Sequence, residues 1–355
     1  MLLISILYLS PLIRALTYPD TGSTFPKCLY TIGSCYFLTQ IQTGIKMLNQ
    51  QTKQAVKEWS ESLAGLGPIL TGEDTVTPMS EVRDAYTRML AKNPAPSGVS
   101  FTEVDMGGVP GTLVTPDKLE TDAIVMYIHG GAYIVGEPAG YHGIGGNYAS
   151  MLGARVYMPD YRLAPEYPFP TPVTDTVRAY EWLIEQGFDA SKILLAGESA
   201  GGAMVVTVMV AARNKGLPLP AGGVSISPWA NLEHTGVSMT NREGLDPLNT
   251  KAGLDFLART FLGDALPNHP MASPVFADVT GLPPVLVQIG ENELMLSDAM
   301  RLATHLGDNR VRVNLEVWPG MFHAWHFFST LQPEAVQALE SSVAFMKQVL
   351  RDAAK

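Results

Sequence analysis

Apolar residues run along this chain in two rhythms. Short runs, some nearly continuous and some alternating, occur at Ala123 to Ile128, Arg155 to Met158, Ile193 to Ala196, Val224 to Ser227, Val285 to Ile289 and Val313 to Val317. Their length and β-branched content predict strands, and Gly111 to Thr115 is an earlier one. Helix-like segments lie between most of them. Strands apolar on both faces and alternating with helices predict a mostly parallel sheet in an α/β architecture.

Outside that alternation the helical period dominates. From Met47, Val56, Trp59, Leu63 and Leu66 recur at helical spacing, and Gly65 and Gly67-Pro68 predict the end of that run. A second helix is expected from about Pro78 to Ala91, after which Pro94 and Pro96 mark a boundary. A long insertion from Met239 to Ala265 separates two strands and carries Leu254, Leu257, Ala258 and Phe261 at helical spacing. The expected organisation is cap helices over residues 47–98 and a core over 99–355, with a second cap piece around 239–265. The plainer alternative is a helical extension packed on the core. Pro333 to Leu350 reads as a C-terminal packing helix.

Composition changes this picture little. With 355 residues, 46% of them hydrophobic, the chain can bury one large α/β core with a cap. The net charge of −10 and the absence of a basic run speak against nucleic acid as a partner. Cys28 and Cys35 are the two cysteines, so a disulfide scaffold, and beyond position 35 a thiol nucleophile or thiolate metal site, are excluded. Met1 to Leu16 is apolar except for Arg14, yet no basic residue precedes it and no small-x-small site follows. Two expectations stand for residues 1–46: an export or anchor segment, or sequence upstream of a true start at Met47 in a cytoplasmic protein. The run is short for a membrane span, and no stable membrane insertion is expected.

Candidate chemistry centres on Gly197-Glu198-Ser199-Ala200-Gly201, between the run Ile193-Leu194-Leu195-Ala196 and a small-residue segment able to start a helix. Flanking glycines let the backbone reverse from strand to helix and leave the Ser199 hydroxyl uncrowded, the pattern of a nucleophile elbow. A serine needs a base to take its proton, and the base needs a carboxylate to hold its tautomer. In the α/β-hydrolase arrangement, acid and base follow the serine in that order. Five histidines follow Ser199; His323, in the loop after the last strand, is the expected base and His326 its competitor. Three carboxylates compete as the acid after the strand Val285 to Ile289: Glu293 first, then Asp298, then Glu291. Asp298 equally suits the start of a helix from Ser297 to Leu306. Upstream, His129-Gly130-Gly131 follows a buried strand. The backbone amides of Gly130, Gly131 and Ala200 are the expected oxyanion hole, and the His129 ring is expected to brace their loop.

Taken together, these residues resemble the bacterial hormone-sensitive-lipase family of α/β-hydrolase esterases, over roughly Met47 to the C terminus. Four segments carry the resemblance: His129-Gly130-Gly131-Ala132, Asp160-Tyr161-Arg162-Leu163-Ala164-Pro165-Glu166, Gly197 to Gly202, and Pro319-Gly320-Met321-Phe322-His323. It implies an α/β-hydrolase fold with a mostly parallel central sheet, flanking helices and a helical cap. It also implies Ser199 as nucleophile, His323 as base, Gly130, Gly131 and Ala200 as oxyanion donors, and Tyr133 and Trp229 as pocket walls. Most members place aspartate where this chain has Glu293. The segment from Asp160 to Glu166 is expected to buttress the site, with Arg162 paired to a carboxylate. The implied activity is cofactor-free hydrolysis of short- to medium-chain carboxylic esters through an acyl-enzyme, with a homodimer compatible. A long-chain lipase and a non-catalytic binder are the alternatives. The cap segments carry Lys53, Lys57, Glu58, Glu61, Arg242, Glu243 and Asp246, which favours soluble esters over lipid interfaces.

Overall fold

Every residue of β3 (Ile124–Ile128), β5 (Ile193–Glu198), β6 (Gly222–Ile226) and β7 (Val285–Gly290) is buried, as strands covered on both faces must be. The computed structural model describes residues 48–70 and 77–354. The apolar run Met1 to Leu16, both cysteines and the question of the start at Met47 lie outside the described residues. Among the described residues, no helix is long and apolar enough to cross a membrane.

The four buried strands join β1 (Val99–Asp105), β2 (Pro110–Pro116), β4 (Arg155–Pro159) and β8 (Val313–Trp318) in one sheet of order β1-β2-β4-β3-β5-β6-β7-β8. Pairing is parallel from β4 through β8 and antiparallel at β1–β2 and β2–β4. Side chains alternate faces along each strand. Ile124, Met126, Ile128, Ile193 and Leu195 pack into one core layer, and Val125, Tyr127, Leu194 and Ala196 into the other. Helices α4 (Thr171–Glu185), α5 (Ala200–Asn214) and α8 (Leu296–Asp308) supply the first layer through Val173, Met204 and Leu302. Helices α3 (His142–Leu152) and α9 (Pro333–Ala353) supply the second through Tyr148, Leu339 and Met346.

Two elements differ from the sequence-based expectation. Strand β1 has no strong apolar signal because it is an edge strand paired on one side, with no fully buried residue. Helix α1 (Gln50–Leu70) runs through Gly65 and Gly67-Pro68 to Leu70. It is followed by α2 (Met79–Leu90), while the insertion supplies a short α6 (Ser238–Asn241) and a longer α7 (Lys251–Leu262). The loops that carry the candidate chemistry leave β3, β5, β7 and β8 at one carboxyl edge, where open α/β sheets bind ligands.

Candidate active site

The turn from β5 into α5 places Ser199 at φ 56° and ψ −119°, a backbone region that side-chain-bearing residues seldom adopt. Its surroundings hold it there. Ser199 N–H donates to Ile226 O at 2.9 Å, and Trp229 N–H donates to Ser199 O at 3.0 Å, so the end of β6 grips the elbow from both sides. The glycine at 201 is a packing requirement: a Cβ there would lie 2.0 Å from Ile128 O of the neighbouring strand. The serine borders a cavity of about 470 Å³, which His323 borders as well.

His323 Nδ1 lies 2.8 Å from Glu293 Oε2, within a pair that is almost entirely buried. The carboxylate is fixed from its other side, where Oε1 accepts from Ser227 Oγ at 2.8 Å and Gly290 N–H at 2.6 Å. Burial alone would pull the His323 pKa down, but the hydrogen bond and charge of Glu293, aided by Asp246 and Glu198, hold it above its ordinary value. The other two carboxylates have different partners. Glu291 Oε2 accepts from Gly320 N–H at 2.9 Å, bracing the turn before His323. Asp298 Oδ2 accepts from Asn231 N–H at 3.2 Å, and burial pushes its pKa well above the usual carboxylate range. His326 is a core residue, with Nε2 2.9 Å from Gln288 Oε1 and its pKa pulled down to about 3 by burial. The arrangement thus joins Glu293 to His323 and sets both Ser199 and His323 on one cavity. Ser199 Oγ makes no hydrogen bond to the His323 ring.

The loop after β3 corrects one expectation. Gly130 N–H is consumed by Glu198 Oε1 at 2.5 Å, and Gly130 does not line the cavity, whereas Gly131 and Ala132 do. The amides of Gly131, Ala132 and Ala200 have no hydrogen-bond partner among the described residues, so the unengaged amide expected at Gly130 is found at Ala132 instead. Two consecutive peptide planes are each fixed by contacts to their polar atoms. The His129–Gly130 plane has its C=O held by Tyr161 Oη at 2.8 Å and its N–H by Glu198. In the next plane Gly130 O is held by His129 Nδ1 at 2.8 Å, and since a trans peptide points C=O and N–H in opposite directions, Gly131 N–H is fixed facing away. His129 thus braces the loop as expected, and burial lowers its pKa to about 4, which keeps the ring neutral. Gly131 sits at φ 90°, where a Cβ would come within 2.0 Å of Val135 O.

Tyr133 is a second correction. It does not line the cavity; at φ 64° the chain turns its ring onto Phe261 of α7, stacked at 3.7 Å. Trp229 does line it, and its Nε1–H donates to His234 Nε2 at 2.8 Å while His234 Nδ1 lies 2.7 Å from Asp255 Oδ1 on α7. The remaining wall is largely apolar, with Trp59 and Leu63 of α1, Met89 of α2 and Leu254 and Leu257 of α7 among its residues.

The profile of the alpha/beta hydrolase fold matches residues 125–327. An acetyl-hydrolase of Streptomyces hygroscopicus is 38% identical over 252 residues, covering 68% of this chain and 84% of its own. An ethyl acetate hydrolase of Pseudomonas putida is 30% identical over 267 residues, covering 72% and 83%. The crystal structure of an esterase from the bacterial hormone-sensitive lipase family superposes with a TM-score of 0.77 at 37% identity, over 84% of this chain and 98% of its own. The chain belongs to the bacterial hormone-sensitive-lipase family of α/β-hydrolases.

In this member of the hormone-sensitive-lipase family, the segment from Asp160 to Glu166 ties the site to the helices above it. Arg162 makes a two-pronged pair with Asp175, Nε to Oδ2 and Nη2 to Oδ1, both at 2.8 Å. Glu166 pairs with Arg83 of α2 at 2.6 Å, and Arg83 Nε also donates to Ile134 O in the loop after β3. Two supporting residues carry no sequence motif of their own as supports. Ser227, at φ 44° just past β6, links Glu293 to Ala324 N–H, and its one signal is its place at the carboxyl end of a parallel strand. Glu198 was visible only as a variable position within the elbow.

Proposed function

We propose that this carboxylesterase hydrolyses short- to medium-chain acyl esters through an acyl-enzyme on Ser199. The buried Glu293–His323 pair, with His323 and Ser199 bordering one cavity, carries this reading. With Nδ1–H committed to Glu293, the lone pair of His323 Nε2 is left to take the proton of Ser199 Oγ as that oxygen adds to the ester carbonyl. The tetrahedral oxyanion accepts from the amides of Gly131, Ala132 and Ala200. His323 then passes its proton to the departing alkoxide, and the alcohol leaves. In the second half His323 takes a proton from water, the hydroxide adds to the acyl carbonyl, and the proton returns to Ser199 as the acid leaves.

Helices α1, α2 and α7 act as the cap in this proposal, since all three contribute to the cavity wall. Two relatives, named acetyl-hydrolase and ethyl acetate hydrolase, are named for acetyl substrates, in keeping with a confined pocket. On p-nitrophenyl esters from acetyl to palmitoyl, kcat/KM is expected to peak between acetyl and hexanoyl and to fall by about tenfold or more for dodecanoyl. A palmitoyl maximum would overturn the short-chain pocket in favour of a lipase.

Charge adds a second expectation. Asp246 lines the cavity and, among the described residues, no lysine or arginine does. An acyl group ending in a carboxylate would enter with no cation to meet it. The p-nitrophenyl hemisuccinate is therefore expected to show a kcat/KM at least about tenfold below that of the butyrate at low ionic strength. Equal rates for the two would contradict this charge discrimination.

A further inference from the structure

The buried carboxyl group of Glu198 takes no part in the proton transfers above, and among the described residues no lysine or arginine pairs with it. We propose that Glu198 is a positioning residue, whose carboxylate locks the His129–Gly130 peptide so that the next two amides, Gly131 and Ala132, face the substrate carbonyl. This inference rests on the serine esterase reading and adds to it the device that aims its oxyanion donors.

Geometry supports the assignment in three ways. Glu198 ends β5 immediately before the nucleophile and is 2% exposed, so its carboxylate is wedged between the elbow and the end of β3. Both oxygens are engaged: Oε1 accepts from Gly130 N–H and Oε2 from Tyr127 Oη–H, each at 2.5 Å. The fit leaves no room for change at the partner, because a Cβ on residue 130 would lie 2.3 Å from Glu198 Oε1. The glycine at 130 is thus explained by the carboxylate that grips it, while the glycine at 131 is explained by its own positive φ.

The requirement is for an acceptor at the right reach rather than for a charge. Burial pushes the Glu198 pKa up to about 8, against the pull of the Tyr127 and Gly130 donors, so the site keeps an ionisable group where ionisation is costly. Glutamine keeps the reach: its Oε1 still accepts from Gly130 N–H, and the Tyr127 hydroxyl turns to accept from Nε2. Aspartate keeps the carboxyl group but is one methylene too short to hold both partners.

The test compares Glu198→Ala, Glu198→Asp and Glu198→Gln by kcat and KM on p-nitrophenyl butyrate, and by inhibition with an alkyl trifluoromethyl ketone, which forms a tetrahedral adduct with a serine. Alanine and aspartate are expected to lower kcat by about 10²-fold and weaken the ketone by a similar factor, with KM within about twofold. Glutamine is expected to stay within about fivefold of the parent in all three readings. A residue needed only for packing would not separate kcat from KM in this way. Aspartate outperforming glutamine would assign the effect to charge and overturn the proposal, as would an alanine variant with unchanged kcat and ketone affinity. Should the alanine variant fail to fold, the aspartate–glutamine ranking decides alone. Absence of Ser199-dependent turnover in the parent would overturn the esterase reading itself, whereas normal parent turnover with unaffected variants overturns only the role of Glu198.

Discussion

Ser199→Ala is expected to lower kcat on p-nitrophenyl butyrate by about 10⁵-fold, the largest loss from any single substitution in the chain. The elbow holds the hydroxyl at the cavity edge, and the other protein groups proposed to work on the substrate, His323 and the three amides, move protons or donate hydrogen bonds rather than form the acyl bond. A residual rate above water should persist, because the amides of Gly131, Ala132 and Ala200 still stabilise an oxyanion. The thermal midpoint should move little, since the φ of 56° is imposed by β6 and the glycines around position 199 rather than by the side chain. A fluorophosphonate probe, which labels activated serines, checks the same point independently: it should label the parent and not the variant. Substantial turnover in the variant would place the nucleophile elsewhere.

How far the sequence reveals this molecule depends on how local each determinant is. Strands β3, β5, β6 and β7 are legible because burial on both faces makes their runs continuously apolar, whereas β1 hides behind Ser100, Thr102 and Glu103 at the sheet edge. The elbow is legible because the close approach of Ile128 O demands glycine at 201. His323 is legible from its loop position, and Glu293 from its distance past the end of β7. Which amide turns toward the cavity is not legible, because Glu198 and Tyr161, both remote in sequence, fix the orientation of the His129–Gly130 peptide. Tyr133 misleads for the same kind of reason. The positive φ that forms the loop also carries its ring onto α7, a contact with a partner more than a hundred residues away.

Glu293→Ala is expected to lower kcat by about 10³–10⁴-fold, and Asp298→Ala by less than about tenfold. Three contacts set them apart. Glu293 accepts from His323 Nδ1, Ser227 Oγ and Gly290 N–H, so removing it frees the base to adopt the wrong tautomer and also releases the support at Ser227. Asp298 instead accepts from Asn231 N–H, and burial favours its protonated form, so it supplies neither position nor charge to the ring. The pH profile separates position from charge. Because the His323 pKa is held above its ordinary value, the base is disabled by protonation over a wider acidic range, and kcat/KM should rise as pH climbs through that raised value. In Glu293→Gln the main raising influence is gone while burial remains. The acid limb should therefore move to lower pH even as the plateau drops. An acid limb that stays fixed, or a larger loss at Asp298 than at Glu293, would remove Glu293 from its proposed role.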